Sequence, residues 1–95
     1  MEIRVVATVI VKPEFLSEVS DALHEVIEPS RQEVGCLQYE LHRDIDHPET
    51  FVFYERWASK EALLKHNDTK HFVNFAQHLE GKLVALDIKR LKSVA

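Results

Sequence analysis

Apolar residues occupy both faces of the strands that this sequence predicts. Ile3–Lys12 is rich in β-branched residues and stops at Pro13. Because successive side chains of a strand point to opposite faces, its apolar residues divide between two surfaces. One surface holds Val5, Ala7, Val9 and Val11, and the other holds Val6 and Ile10. In Phe51–Ala58, Phe51, Phe53 and Trp57 likewise lie opposite Val52 and Tyr54. A sheet built from such strands needs a cover on both sides.

An amphipathic helix follows the first strand. From Glu14 onward the apolar residues recur with a helical period, at Phe15, Val19, Ala22, Leu23, Val26 and Ile27. Pro29 is expected to kink or end this helix. Ser30 and Glu33 have the spacing of a capping box that would restart a turn, and Gly35 closes the helical region.

The second half of the chain predicts a hairpin, a broken helix and a last strand. Cys36–Asp44 alternates and is joined through "IDHPET" to the strand at Phe51–Ala58. Ser59 is an N-cap before "KEALLKH", and Asn67–Thr69 offers a second cap, so the helix should break at Asn67–Asp68. Gly81 ends the helical region, and "LVALDIKRL" supplies the final strand.

The order β-α-β-β-α-β predicts an α+β, ferredoxin-like fold with an antiparallel sheet, formed by residues 1–95 as a single domain. Right-handed crossovers place both helical regions on one face of the sheet. The helix-free face is also apolar, and the chain has no further residues to cover it. A second copy packed face to face is the simplest cover, so we expect a homodimer.

Composition argues against several classes of partner. The net charge is −4 with the basic residues scattered, so neither nucleic acid nor an anionic membrane is expected as a partner. "VVATVIV" is far shorter than a membrane span, and the start lacks the basic and small residues of a signal peptide. We therefore expect a cytoplasmic protein, with the lone Cys36 acting as a small core residue.

Several motifs resemble one known family. They are "EVGCLQYEL" with Gly35 and Tyr39, the pair Glu55 and Trp57 in "FVFYERWA", and the spacing of His66 and His71 before Phe72. Over essentially the whole chain the sequence is similar to the antibiotic biosynthesis monooxygenase (ABM) domain family, especially its small quinol-monooxygenase-like members. The resemblance implies a dimeric α+β barrel of ferredoxin-like subunits. Some members oxidise phenols or quinols with molecular oxygen and no metal or flavin, whereas others degrade haem, isomerise small metabolites or have no known activity.

The relative direction of the two histidines in the second helical region depends on the helix break. On a continuous helix, residues five apart would point about 140° away from each other. A break at Asn67–Asp68 lets His66 and His71 face one cleft. A zinc or iron site would need further ligands, and the sequence has no HExxH or clustered Cys/His motif, so no metal and no other cofactor is expected.

Proton transfer suits these histidines better than metal binding. Oxygen reacts slowly with a phenol but readily accepts an electron from a phenolate, so a cofactor-free oxygenase must first deprotonate its substrate. His71, in the first turn of a helix whose dipole favours neutral imidazole, is the stronger candidate for the base, with His66 as its partner. The resemblance implies that Phe53 and Trp57 face the substrate, although Phe53 replaces a polar residue of some oxygenases. Glu55, on the same side of the strand, would orient a histidine or bind a hydroxyl group.

Structural roles compete with these functional ones. Trp57 and Phe53 are also typical core residues, Glu55 has Arg4 as a candidate partner, and His66 and His71 also suit a solvated or capping position. His24, His42 and His47 are expected on the surface, and His78 is taken as structural.

The function that these observations favour is a cofactor-independent monooxygenase. Its substrates would be molecular oxygen and a small phenolic or quinol-like aromatic compound. Two alternatives stay open: an isomerase of a small hydroxy-ketone metabolite, and a non-catalytic metabolite- or haem-binding protein. The counterpart of His66 is tryptophan in the haem-degrading branch, which argues against haem degradation.

Overall fold

The structure is a computed structural model that describes residues 1–95. Its four strands are β1 (Ile3–Val11), β2 (Cys36–Arg43), β3 (Thr50–Trp57) and β4 (Leu83–Leu91). A 3-10 turn at Pro13–Phe15 precedes the helices α1 (Leu16–Glu25), α2 (Ile27–Arg31), α3 (Lys60–Asn67) and α4 (Lys70–Leu79). No helix combines the length and the apolar character needed to cross a membrane.

The strands form one antiparallel sheet in the order β2-β3-β1-β4. This is the order of the ferredoxin-like fold, and the predicted fold class is confirmed. Each predicted helical region is present as two shorter helices. The core lies between the sheet and the helices, where alternate residues of β1 and β3 are buried, from Val5 to Val11 and from Phe51 to Trp57.

The other face of the sheet is partly apolar, as the sequence predicts. Val6, Ile10, Val52 and Tyr54 are half-buried there. The edge strand β4 adds apolar surface on the helix side, where Leu86 and Ile88 are more than half exposed because the helices do not extend over them. The single chain therefore leaves apolar area uncovered on two sides of its sheet.

The first helical region is interrupted just before Pro29, in agreement with the predicted kink. α1 ends at Glu25 and α2 begins at Ile27, so Pro29 lies in the first turn of the second helix. The first turn of a helix has no internal partner for its N–H groups, so a residue without an N–H group costs little there. Ser30 forms no capping box with Glu33; its hydroxyl donates a 2.7 Å hydrogen bond to the carbonyl oxygen of Val26.

The predicted break in the second helical region is confirmed. The hydroxyl oxygen of Ser59 accepts a hydrogen bond from the N–H of Ala62 at the start of α3. The hydroxyl oxygen of Thr69 accepts one from the N–H of Phe72 at the start of α4. Asp68 lies between the two helices, so each has a capped start and the chain changes direction between His66 and His71.

Gly35 allows α3 to pack directly against the start of β2. A Cβ atom at this position would lie 2.2 Å from the Cβ of Ala62 and 3.5 Å from its Cα. The first distance is far below van der Waals contact, so any side chain at position 35 would push α3 away. Gly35 thus sets the separation between α3 and the segment that carries Glu33.

A double-mutant cycle tests this contact. We expect Gly35→Ala to lower the free energy of unfolding by about 1 to 3 kcal/mol through overpacking, and Ala62→Gly to lower it by about 1 kcal/mol through helix propensity. The double variant should lose less than the sum, because removing the Ala62 Cβ makes room for the new one. Urea denaturation measures all four proteins, and strictly additive losses would contradict the assigned contact.

Candidate active site

One carboxylate oxygen joins the two histidines. Oε2 of Glu33 lies 2.6 Å from Nδ1 of His66 and 2.8 Å from Nε2 of His71. Glu33 lies between α2 and β2, His66 lies in the last turn of α3, and His71 lies in the first turn of α4. Three separate segments therefore meet at one atom, and the helix break brings the two rings together as the sequence predicts.

This arrangement fixes how His66 carries its proton. Because a carboxylate only accepts hydrogen bonds, His66 donates from Nδ1 and His71 donates from Nε2. A neutral His66 then has a free lone pair on Nε2, a buried atom with no hydrogen-bond partner. Burial lowers the pKa of His66, and the hydrogen bond with Glu33 opposes that shift. His66 is thus a buried base with one nitrogen oriented by a carboxylate and the other unused.

Aromatic rings enclose His66 and account for its burial. Its ring centroid lies 4.4 Å from that of Trp57, 4.8 Å from that of Phe72 and 5.6 Å from that of Tyr39. Burial also raises the pKa of Tyr39 above its ordinary value, so its hydroxyl stays protonated. The imidazole is held in one orientation by packing on several sides and by Glu33 on another.

Glu55 is a second buried titratable group on the same side of the sheet. Its Oε1 accepts a 2.8 Å hydrogen bond from Nε1 of Trp57. Burial raises the pKa of Glu55 to about 7, the hydrogen bond from Trp57 acts against this, and the charge of Glu33 adds to it. The expected pairing with Arg4 is wrong, because Arg4 points to the other face of the sheet and binds Glu2 at 3.1 Å.

His66 and Glu55 line one cavity of about 450 Å³. The helices contribute Leu63, His66, Asn67 and Phe72. The sheet contributes Val5, Glu55, Ile88 and Arg90. A base with a free lone pair and a carboxyl group that titrates near neutrality therefore share one largely apolar space, which is an arrangement suited to moving protons on a small molecule.

The other predicted site residues lie outside this cavity. His71 lines a separate cavity of about 200 Å³ between α1 and α4, and its side chain is 25% exposed. Phe53 and Trp57 belong to the core, with 2% and 0% of their surfaces exposed, and neither lines the larger cavity. Trp57 instead contacts the ring of His66 and the carboxyl of Glu55.

Sequence reasoning missed Glu33 and Arg90 as site residues. The sequence predicts a capping-box role for Glu33, which stands two residues before Gly35 as the first residue of "EVGCLQYEL". That glycine was the available signal, since a residue without a side chain marks a close approach between segments. Arg90 gave no such signal, because its strand has charged residues on both faces.

The same three groups are the metal-ligand candidates. Glu33, His66 and His71 offer three ligand atoms that lie within 4.8 Å of one another, which matches the protein ligands of an open zinc site in number and type. In this structure each of the two nitrogens makes a short hydrogen bond to the oxygen instead.

The remaining histidines and the cysteine lie where the sequence predicts. His24, His42 and His47 are exposed, and His78 is exposed near the end of α4, where its ring meets the carbonyl oxygen of Asn74. Cys36 is partly buried against the core, and burial raises the pKa of its thiol.

Several known proteins are similar to this chain in sequence. The family model described as Antibiotic biosynthesis monooxygenase matches residues 2–78. The Bacillus subtilis (strain 168) protein "Putative monooxygenase YcnE" is 36% identical over 81 residues, which are 84% of this chain and 85% of that protein. The Mycobacterium tuberculosis protein "Putative monooxygenase Rv0793" is 33% identical over 73 residues, which are 77% of this chain and 71% of that protein.

Solved structures agree with this match. The crystal structure of PA3566 from Pseudomonas aeruginosa has a TM-score of 0.93 at 33% identity and covers 99% of this chain and 95% of its own. The structure of Rv0793 has a TM-score of 0.94 at 26% identity and covers 100% of this chain and 97% of its own.

Glu55→Gln isolates one pH-dependent contribution to stability. The folded pKa of Glu55, about 7, lies above its ordinary value of 4.5, so the carboxyl stabilises the fold most at low pH and this contribution is lost as the pH rises through 7. We expect the unfolding free energy of the natural chain, relative to the variant, to fall by up to about 3 kcal/mol between pH values of about 4.5 and 8.

The lowered pKa of His66 makes its contribution to the unfolding free energy rise with pH, opposite to that of Glu55. His66 is present in both proteins, so its contribution cancels in the difference. Chemical denaturation at several pH values gives that difference. A difference that does not vary with pH would show that Glu55 is not a buried carboxyl with a raised pKa.

Proposed function

Because the chain belongs to the antibiotic biosynthesis monooxygenase family, we propose that it oxidises a small phenolic or quinol-like compound with molecular oxygen, using His66 as the base. Family membership supports a monooxygenase-type function and a small-molecule substrate. The choice of substrate class rests on the chemistry of the cavity.

The observation that carries this proposal is the unpartnered Nε2 of His66. A buried nitrogen without a hydrogen bond costs stability. Because His66 is one of the residues that line the cavity, a hydrogen-bond donor on a ligand would satisfy this nitrogen. A phenolic hydroxyl is such a donor. The apolar residues Val5, Leu63, Phe72 and Ile88 suit the ring that carries it.

The reaction begins with proton transfer from the phenol to Nε2 of His66. The resulting phenolate gives one electron to oxygen, and the superoxide and the substrate radical combine to form a carbon–oxygen bond. The protonated His66 returns its proton to the resulting peroxide, which regenerates the base. The O–O bond of the hydroperoxide then breaks as the ring carbon loses its hydrogen, and water leaves to yield the quinone. One oxygen molecule is consumed and one water is released for each substrate. Oxygen is reduced and the ring is oxidised, and the balance requires no other oxidant.

Glu33 stabilises the charged form of the base. When Nε2 gains a proton, the imidazolium keeps its 2.6 Å hydrogen bond to the carboxylate of Glu33, which compensates the new charge. His71 holds the same oxygen from the other side at 2.8 Å. The sequence favours His71 as the base, but His71 lines a different cavity from the one that His66 shares with Glu55. We therefore assign His71 to positioning and His66 to proton transfer.

Trp57 and Phe53 act beneath the cavity instead of forming its wall. Trp57 donates to Glu55 and packs on His66, so it orients both polar groups. Phe53 supports Tyr39 and Phe75, whose ring centroids lie 5.5 Å and 5.9 Å away. Glu55, protonated in part near neutral pH, binds a substrate oxygen as a donor.

Oxygen uptake with a panel of phenols and quinols tests the function. His66→Gln should lower kcat by about 10² to 10⁴-fold, and His71→Gln should lower it less. His24→Gln, which replaces an exposed histidine of α1, should leave it unchanged. Treatment with a chelator should have no effect, because the proposed base needs no metal.

Glu33→Gln gives a second measurement if His66→Gln fails to fold, and it should lower kcat because the imidazolium loses its counter-charge. Uptake no faster than autoxidation across the panel, or full activity in His66→Gln, would refute the proposal.

An isomerase is the second candidate. A base on one side of a cavity and a carboxyl with a pKa near 7 on another are also what proton transfer between two carbons requires. Isomerisation consumes no oxygen. Turnover of a hydroxy-ketone that continues unchanged in an anaerobic chamber would favour this function over the first.

A homodimer is the proposed assembly. Its basis is the partly apolar helix-free face, where Val6, Ile10, Val52 and Tyr54 remain half-buried in the single chain. Packing two copies face to face would remove this area from water and would join two sheets through the side chains of β1 and β3.

Sedimentation measures the assembly. The natural chain should have twice the mass of the 11.0 kDa monomer, and Val52→Asp should dissociate it, because a carboxylate would be buried at the interface. Ile45→Asp, which replaces an exposed apolar residue of the hairpin loop, should leave the dimer intact. A monomeric natural chain, or a dimer unaffected by Val52→Asp, would contradict the proposed interface.

A further inference from the structure

A row of side chains crosses the helix side of the sheet at the level of the cavity. Tyr39 of β2 pairs with Glu55 of β3, Glu55 pairs with Val5 of β1, and Val5 pairs with Arg90 of β4. Neighbouring strands are separated by about 4.8 Å, so the backbones at Glu55 and Arg90 lie about 10 Å apart. Glu55, Val5 and Arg90 all line the cavity.

Arg90 differs from several other cations of the chain in having no partner. Arg4 and Arg56 bind Glu2, Lys82 binds Glu18 and Lys89 binds Asp87. Arg31 and Arg43 donate to backbone carbonyl oxygens. Arg90 makes no hydrogen bond or salt bridge, and it is exposed at the edge strand. A guanidinium keeps its charge at any physiological pH, so the edge of the cavity carries an uncompensated positive charge.

We propose that the substrate carries a carboxylate, which Arg90 binds at the β4 side of the cavity while the phenolic hydroxyl of the same molecule meets His66. The inference rests on the proposed function and narrows its substrate class to hydroxylated aromatic acids. A guanidinium matches a carboxylate with two parallel hydrogen bonds, which a neutral substituent does not provide.

The distribution of charge sets the orientation of the ligand. The carboxylate of Glu33 lies beside His66, where it would repel a carboxylate of the ligand. Arg90 lies across Val5 on the opposite side. A molecule with a hydroxyl at one end and a carboxylate at the other is therefore favoured in one direction only, with its hydroxyl toward His66. The span of about 10 Å between Glu55 and Arg90 suits a single substituted ring.

Calorimetric binding tests this inference without turnover. The probes are 2,5-dihydroxybenzoate and its methyl ester, which differ in charge but keep the same ring and hydroxyl groups, measured without oxygen near neutral pH. The natural chain should bind the acid about tenfold or more tightly than the ester. Arg90→Gln should bind both alike, with little change for the ester. Lys89→Gln removes the same charge from the opposite face of β4, so it should keep the preference.

The inference is overturned if the natural chain binds acid and ester equally or binds neither. It is also overturned if Arg90→Gln keeps the preference for the acid, or if Lys89→Gln loses it. A preference for the acid that depends on Arg90, without oxygen uptake under air, would uphold the anion site and refute the monooxygenase proposal. Oxygen uptake with neutral phenols, without any preference for the acid, would uphold the monooxygenase proposal and refute the anion site.

Discussion

The site depends on a single carboxylate oxygen, Oε2 of Glu33, which accepts hydrogen bonds from two histidines on different helices. Two features of the fold make this possible. Gly35 lets α3 approach the start of β2 until no side chain would fit between them. The break between α3 and α4 turns His71 back toward His66. If either feature changed, the carboxylate would contact at most one ring. Without the hydrogen bond between Glu33 and Nδ1 of His66, the direction of Nε2 would no longer be fixed.

The core and the site lie in the same layer, between the sheet and the helices, so the residues that stabilise the fold also shift the pKa values of the site. Trp57, Tyr39 and Phe72 bury His66 in aromatic surroundings, which stabilise the fold through apolar contact. They also desolvate His66 and Glu55, which disfavours the charged form of each group. The pKa values of a base and an acid are thereby shifted toward each other. A chain selected for stability alone would place apolar side chains at both positions.

The register of the sheet distributes charge around the cavity. Glu55 and Arg90 flank Val5 on opposite sides, so the carboxyl lies in the middle of the sheet under the helices and the guanidinium lies at its edge. The helices do not reach over β4, which leaves Arg90 and Ile88 exposed to solvent. Burial thus decreases from His66 through Glu55 to Arg90 at the edge strand.

The sequence by itself determined the element order, the fold class, the helix break and the apolar character of both sheet faces. These features follow from local signals: the two-residue and 3.6-residue periods, the caps at Ser59 and Thr69, and the glycines. It also predicts His66 and His71 as proton-transfer groups and Glu55 as a group that orients a histidine or binds a hydroxyl, and these roles stay predictions. It failed at Ser30, because the helix there already starts at Ile27 and periodicity does not specify where a helix starts.

Only the tertiary structure decided which of these groups contact one another and which cavity each one lines. Glu33 meets residues more than thirty positions away in the chain, and no local pattern encodes a contact of that range. The structure places His66 and His71 on different cavities. Trp57 is buried in the core and does not line the cavity that His66 shares with Glu55. Strand register placed Arg90 beside the cavity, and register is set by the packing of the whole sheet.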